Sequence, residues 1–179
     1  MTDLHSAAVS IDDKDAAPGL LRLIQSFANT LSADDAVDLL ATREEAAAWL
    51  RTAVLLPAEA GLSNSEHGAL LRLRDSLRDI LAAHTGARED AEAAARLTKA
   101  LADGRLVLIV EPASTVQLAS AARASYAHVV ASFAVAVAKS AAAGTWLRLK
   151  ACADSECGQA FYDDSAVATA GHCSRHAAG

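Results

Sequence analysis

Cys152 and Cys157 are separated by four residues, and fifteen residues later come Cys173, two intervening residues and His176. Two close pairs of ligands, each on its own turn, supply the two halves of a tetrahedron, which is what a closed zinc site requires. His172 competes for the fourth place, but it adjoins Cys173 and neighbouring side chains diverge, so His176 is preferred. Three thiolates and a neutral imidazole leave the ion with a net charge near −1 and no open position for water, so the Zn2+ expected here is structural, one per chain. A tail of about 30 residues has too little core to fold alone, and metal ligation would supply the missing stability.

Other chemistries fit these residues less well. Three free thiols without a metal are the plain alternative. A redox pair would need a two-residue gap, which Cys152 and Cys157 lack. A cysteine nucleophile paired with His172 or His176 would need an orienting acid and an oxyanion hole, and nothing in the tail supplies them, so the chain does not read as an enzyme. Asp163 and Asp164 read as a solvated turn. His128 reads as a hydrogen-bonded core histidine, His84 as a partner of a helix C-terminus, and Asn29 as a cap or a buried hydrogen bond. His5 and His67 have no evident chemical neighbours. No phosphate-binding glycine loop occurs.

The charge of −6 argues against a protein that coats DNA, RNA or an anionic membrane. The longest uncharged apolar stretch, between Arg123 and Lys139, is shorter than the roughly 20 residues that span a bilayer. The first residues carry acids and no apolar run, so no secretory signal is expected there. A soluble, cytoplasmic protein follows, and clustered cysteines in odd number suit metal ligation in a reducing compartment.

The elements that must position the cluster are mostly helical. Hydrophobic residues make up 53% of the chain but aromatics only 4%, which favours helices packed through small side chains. Leu20, Leu23, Ile24, Phe27 and Leu31 predict a first helix over 20–31. Two short helices are expected at about 34–41 and 43–54, the second opened by a Thr42/Glu45 capping box. Ser63 and Glu66 repeat that spacing before a long helix in which Leu70, Leu73, Leu77, Ile80 or Leu81, and His84 recur at three and four residues. Another helix is expected within 88–103. Leu106–Val110 and Thr115–Leu118, split by a turn at Pro112, read as a β-hairpin, and a long Ala/Val-rich helix is expected over 121–143. Composition changes after Gly144. The domains expected are a flexible lead-in (1–18), a helical domain (19–145) and a small finger (146–179).

"LRLKACADSECGQAFYDD" resembles the start of the zinc finger of the CGNR zinc-finger family. "SFANTL", "DLLATREEAAAWL" and the hairpin before a long helix resemble ABATE, the helical stress-regulator domain that precedes that finger. The resemblance implies a stress-induced transcription regulator with a DNA-binding finger. Its first three ligands fall on Cys152, Cys157 and Cys173, and its fourth cysteine falls at Ala178. The Gly-Asn-Arg motif and basic helix that would come next are missing, since the sequence stops at Gly179, and His176 takes over as fourth ligand. The expected protein is therefore mostly α, a helical bundle with one β-hairpin and a small C-terminal finger. It would be a zinc-binding regulatory or ligand-sensing protein with weakened DNA binding, its partners an effector molecule, another protein or a second copy in a homodimer. An active DNA-binding regulator is the runner-up.

Overall fold

In a computed structural model of the chain, residues 13–32, 37–86, 88–112 and 114–177 are described. His5, most of the lead-in, residues 34–36 of one expected helix, and Ala178 lie outside them. The described chain runs α1 (Leu21–Ala28), β1 (Leu31–Ser32), β2 (Val37–Asp38), α2 (Arg43–Thr52), α3 (Asn64–Gly86), α4 (Ala91–Leu101), β3 (Leu106–Val110), β4 (Val116–Ser120), α5 (Tyr126–Ala142), β5 (Leu149–Ala151) and β6 (Ala160–Tyr162). The fold is mostly α, with three two-stranded antiparallel ribbons, β1–β2, β3–β4 and β5–β6.

The strongest local signals form as their chemistry dictates. Thr42 and Glu45 close a capping box on α2. The Ser63 N–H donates to the Glu66 carboxylate at 2.7 Å while the Glu66 N–H donates to the Ser63 hydroxyl at 3.3 Å, and α3 starts there. Leu70, Leu73, Leu77 and Leu81 of α3 are fully buried. They share one core with Ile24 and Phe27 of α1, Leu50 of α2 and Val129, Phe133 and Ala136 of α5.

Three expectations need correction. The first helix ends at Ala28, and Leu31 belongs to β1. Over 37–41 the chain is not helical, because Val37 and Asp38 pair with Ser32 and Leu31. A half-buried ion pair opposes a helix there: Arg74 of α3 grips both Asp38 oxygens, at 2.5 and 3.0 Å. The last long helix starts at Tyr126, not Ala121, because residues 121–125 carry the hairpin back to the core. At the other end of the hairpin Gly104 meets α5 closely, and a Cβ there would lie 2.9 Å from the Ala131 amide nitrogen.

The helical core does not stop at 145. Leu149, Ala151 and Ala160 of the last ribbon belong to it. Asn29 is the C-cap of α1 through its backbone N–H, while its side-chain amide pairs with the ribbon backbone like an extra strand, accepting from the Ala160 N–H at 2.7 Å and donating to the Ala160 carbonyl at 3.0 Å. Gln25 donates to that carbonyl at 3.1 Å. On the opposite side the His84 Nδ1–H donates to the Leu149 carbonyl at 2.8 Å, and its ring stands edge-on to Trp146 at 5.0 Å. His84 is therefore a tie to the ribbon as well as a residue of the last turn of α3, and burial, its largest influence, holds its pKa below the usual value. His67 also has a partner, donating from Nε2 to the Leu40 carbonyl at 2.8 Å.

These ties predict the effect of removing one. Asn29→Ala leaves the Ala160 N–H buried without an acceptor, so it should cost about 1–3 kcal/mol in a urea melt. An unchanged midpoint would show that the docking bond carries nothing.

Candidate metal centre

The ribbon β5–β6 is followed by a loop that returns to the turn joining its two strands, so that two tight turns face each other. In the first, the Glu156 N–H donates to the Asp154 carboxylate at 2.9 Å, and the Cys157 and Gly158 N–H groups both donate to the Asp154 carbonyl at 3.1 Å. This folds Cys157 back toward Cys152. Gly158 follows with φ +57°, and a Cβ there would approach the Arg78 guanidinium at 3.1 Å, so glycine suits the position twice over. In the second turn the His176 N–H donates to the Cys173 carbonyl at 2.9 Å, and the Ala153 N–H reaches across to the Gly171 carbonyl at 2.8 Å.

The two turns bring Cys152, Cys157, Cys173 and His176 together, with one donor atom of each within 4.8 Å of all the others. The Cys157 and Cys173 sulfurs are 3.8 Å apart, and His176 Nδ1 lies 3.6 Å from Cys152 Sγ and 3.5 Å from Cys173 Sγ. Bonds of about 2.3 Å to sulfur and about 2.05 Å to nitrogen at tetrahedral angles require edges of about 3.8 Å between sulfurs and about 3.6 Å from sulfur to nitrogen. Three edges of the cage therefore already have the lengths a tetrahedral ion would impose. The three sulfurs are buried and His176 is exposed, so the cluster can hold a metal ion with one edge toward solvent. His172 is exposed and not a member of the cluster.

Without an ion Cys157 and Cys173 favour the neutral thiol. Burial, reinforced by the neighbouring sulfurs, pushes Cys157 up to about 12 and raises Cys173 as well. An entering cation must displace those protons, so its hold weakens as pH falls.

Around the cluster lie residues that the sequence did not single out, together with one, Asp163, that it read as solvated. Asp15, buried in a short 3-10 turn (Asp13–Asp15), accepts from the Ser174 N–H at 2.9 and 3.1 Å and from the Ser174 hydroxyl at 2.8 Å. It holds the second turn from the N-terminal side. Asp163 is no solvated turn, whereas Asp164 is exposed. The Lys150 ammonium donates to Asp163 Oδ2 at 2.7 Å and to the Ala168 and Ala170 carbonyls at 2.7 and 3.0 Å. This buried pair shapes the loop that delivers Cys173. Phe161 packs beneath the three cysteines.

The described chain is a helical domain onto which a ribbon ending in a Cys/His cluster docks through buried side-chain bonds. The family described as "Putative stress-induced transcription regulator" (ABATE) matches residues 21–148, and the chain belongs to it. The three-cysteine, one-histidine cluster beyond the match is consistent with a CGNR-type finger. No curated protein matches the chain. Among the described residues no helix is long and apolar enough to cross a membrane.

Proposed function

We propose that the protein is a non-enzymatic regulator in which one structural zinc ion, held by Cys152, Cys157, Cys173 and His176, fastens a finger (146–179) to the helical domain (19–145), and that its affinity for DNA is weak. The observation that carries the metal reading is the match of three cage edges, 3.8, 3.6 and 3.5 Å, to those of a tetrahedral ion. Soft thiolates with an imidazole select zinc over magnesium or calcium. Four protein donors leave no site for a reactive water, so the ion's role is to hold the two turns together.

The weak-DNA reading rests on how the finger uses its cations. Sequence-selective binding needs several Lys or Arg aimed at phosphates and a few side chains that reach base edges. Within 146–177 the cations are Arg148, Lys150 and Arg175. Lys150 is buried on Asp163. Arg148 donates to the Asp163 and Ser165 carbonyls at 3.0 and 2.8 Å, and Arg175 to the Gln159 side chain. All three hold the finger itself together.

Metal analysis of the purified protein should give about one zinc per chain. Cys152→Ala, Cys157→Ala and Cys173→Ala should lose it, His176→Ala should weaken it, and His172→Ala should keep it. Zinc-free wild type, prepared without chelators, would end the metal reading. In fluorescence polarisation, DNA affinity at physiological salt should be weak and indifferent to sequence. Tight, selective binding would restore the active DNA reader.

A further inference from the structure

Arg78 of α3 is a half-buried cation that forms no ion pair among the described residues. Its Nη1 donates to the Ala28 and Leu31 carbonyls at 2.7 and 3.1 Å. The acids beside it on the helix are held elsewhere, Asp75 by Arg74 at 3.5 Å and Asp79 by Arg96 at 2.9 Å. Its other terminal nitrogen faces the cysteine cluster: a Cβ on Gly158 would lie 3.1 Å from Nη2, and Gly158 adjoins Cys157. Burial, the largest influence, and the like charge of Arg74 lower its pKa, while an ionised Cys157 is among the groups that raise it. A guanidinium stays charged at neutral pH all the same.

We propose that Arg78 is the counter-cation of the metal centre, a positioning residue from the helical domain that stands outside the ligand set and stabilises its ionised, metal-loaded form. The inference rests on the zinc reading above, in which three thiolates and one imidazole leave the loaded centre with a charge near −1. Backbone hydrogen bonds from Gln159 to Cys157 and from Arg175 to Cys173 soften that charge without cancelling it. A partly buried charge of either sign is costly when it stands alone, and the two costs offset each other when opposite charges are neighbours. The finger's own cations serve less well. Arg148 and Lys150 are engaged by loop carbonyls and Asp163, and Arg175 is exposed, where water and salt screen it.

Zinc affinity of the full chain, measured in competition with a chromogenic chelator, tests it. Arg78→Gln and Arg78→Met should each bind zinc about 10–100-fold more weakly than wild type, the usual effect of removing a partner just outside the ligands. Arg78→Lys, which keeps the charge, should recover most of that loss. Arg51→Gln is the structural control, because Arg51 also donates to a carbonyl, that of Ala60 at 3.1 Å, and its loss should leave zinc affinity at the wild-type value. The zinc-dependent rise in melting temperature should shrink in the two neutral variants, whereas a purely structural role would lower the metal-free and loaded forms equally. Two neutral side chains guard against one of them failing to fold. Neutral variants that bind zinc as tightly as wild type overturn the inference and leave the zinc reading intact. So does an equal loss in Arg51→Gln, or a loss in Arg78→Lys as large as in Arg78→Gln. A wild type that binds no zinc overturns the zinc reading itself, and this inference with it.

Discussion

Stripping zinc from the protein with a strong chelator should lower its melting temperature by about 10 °C or more, and adding zinc back should restore it. Structural zinc contributes about 10–16 kcal/mol to the folding of isolated finger peptides. Here part of the finger is held without it, by Asn29 and Gln25 on β6 and by His84 on β5, so the loss should be a fraction of that figure. What remains at the metal end is small. The three cysteines and Phe161, with Ala170 beside them, form a separate cluster too slight to order two turns. At about 2–4 °C per kcal/mol for a chain of this size, a loss of about 4 kcal/mol gives the stated shift. Cys173→Ala should reproduce the low melting temperature and make it indifferent to chelator. Cobalt loading of wild type should give the absorption of a tetrahedral thiolate site, which Cys173→Ala should lack. A melting temperature that does not move after verified removal of the metal would show that the helical domain alone holds the finger.

The Cys/His cluster, two capping boxes and the leucines of α3 are legible because each is a local pattern whose spacing is its chemistry. The cage forms from residues chosen by spacing alone, and the preference for His176 over His172 agrees with the cluster that forms. What was not legible depends on partners far along the chain. Nothing near Asp15 signals that it will hold Ser174, 159 residues away. Nothing near Asn29 chooses between a helix cap and a buried bond until Ala160 arrives 131 residues later, and both roles are then filled. The β1–β2 ribbon was missed because two-residue strands have no period, and the grip of Arg74 on Asp38 fixes it from another helix. Asp163 misled for a different reason. Two adjacent aspartates usually face water, but the β5–β6 register brings Lys150 under one of them and leaves the other outside.

Asp163→Ala should be among the most damaging substitutions outside the cysteine cluster, costing about 3–5 kcal/mol. The Lys150 ammonium would remain buried beside two carbonyls with no counter-charge. The Ser165 and Ala170 N–H groups would lose the carboxylate they now share. Lys150→Met/Asp163→Leu should be less damaging than the sum of its parts, since no charge is then stranded. Acid provides a second readout. Burial alone would raise the pKa of Asp163, but bonds from Lys150 and Ser165 outweigh it and hold the carboxyl below its ordinary value. A carboxylate depressed in the folded state contributes stability above its unfolded pKa and loses it as pH falls through the folded one. Wild type should therefore lose stability below about pH 4, and Asp163→Asn, less stable at neutral pH, should show a flatter loss there. Because the same carboxylate orders the loop that delivers Cys173, zinc should leave Asp163→Asn faster than wild type in competition with a chromogenic chelator. Equal release rates would separate the ion pair from the metal and leave it a purely structural bond.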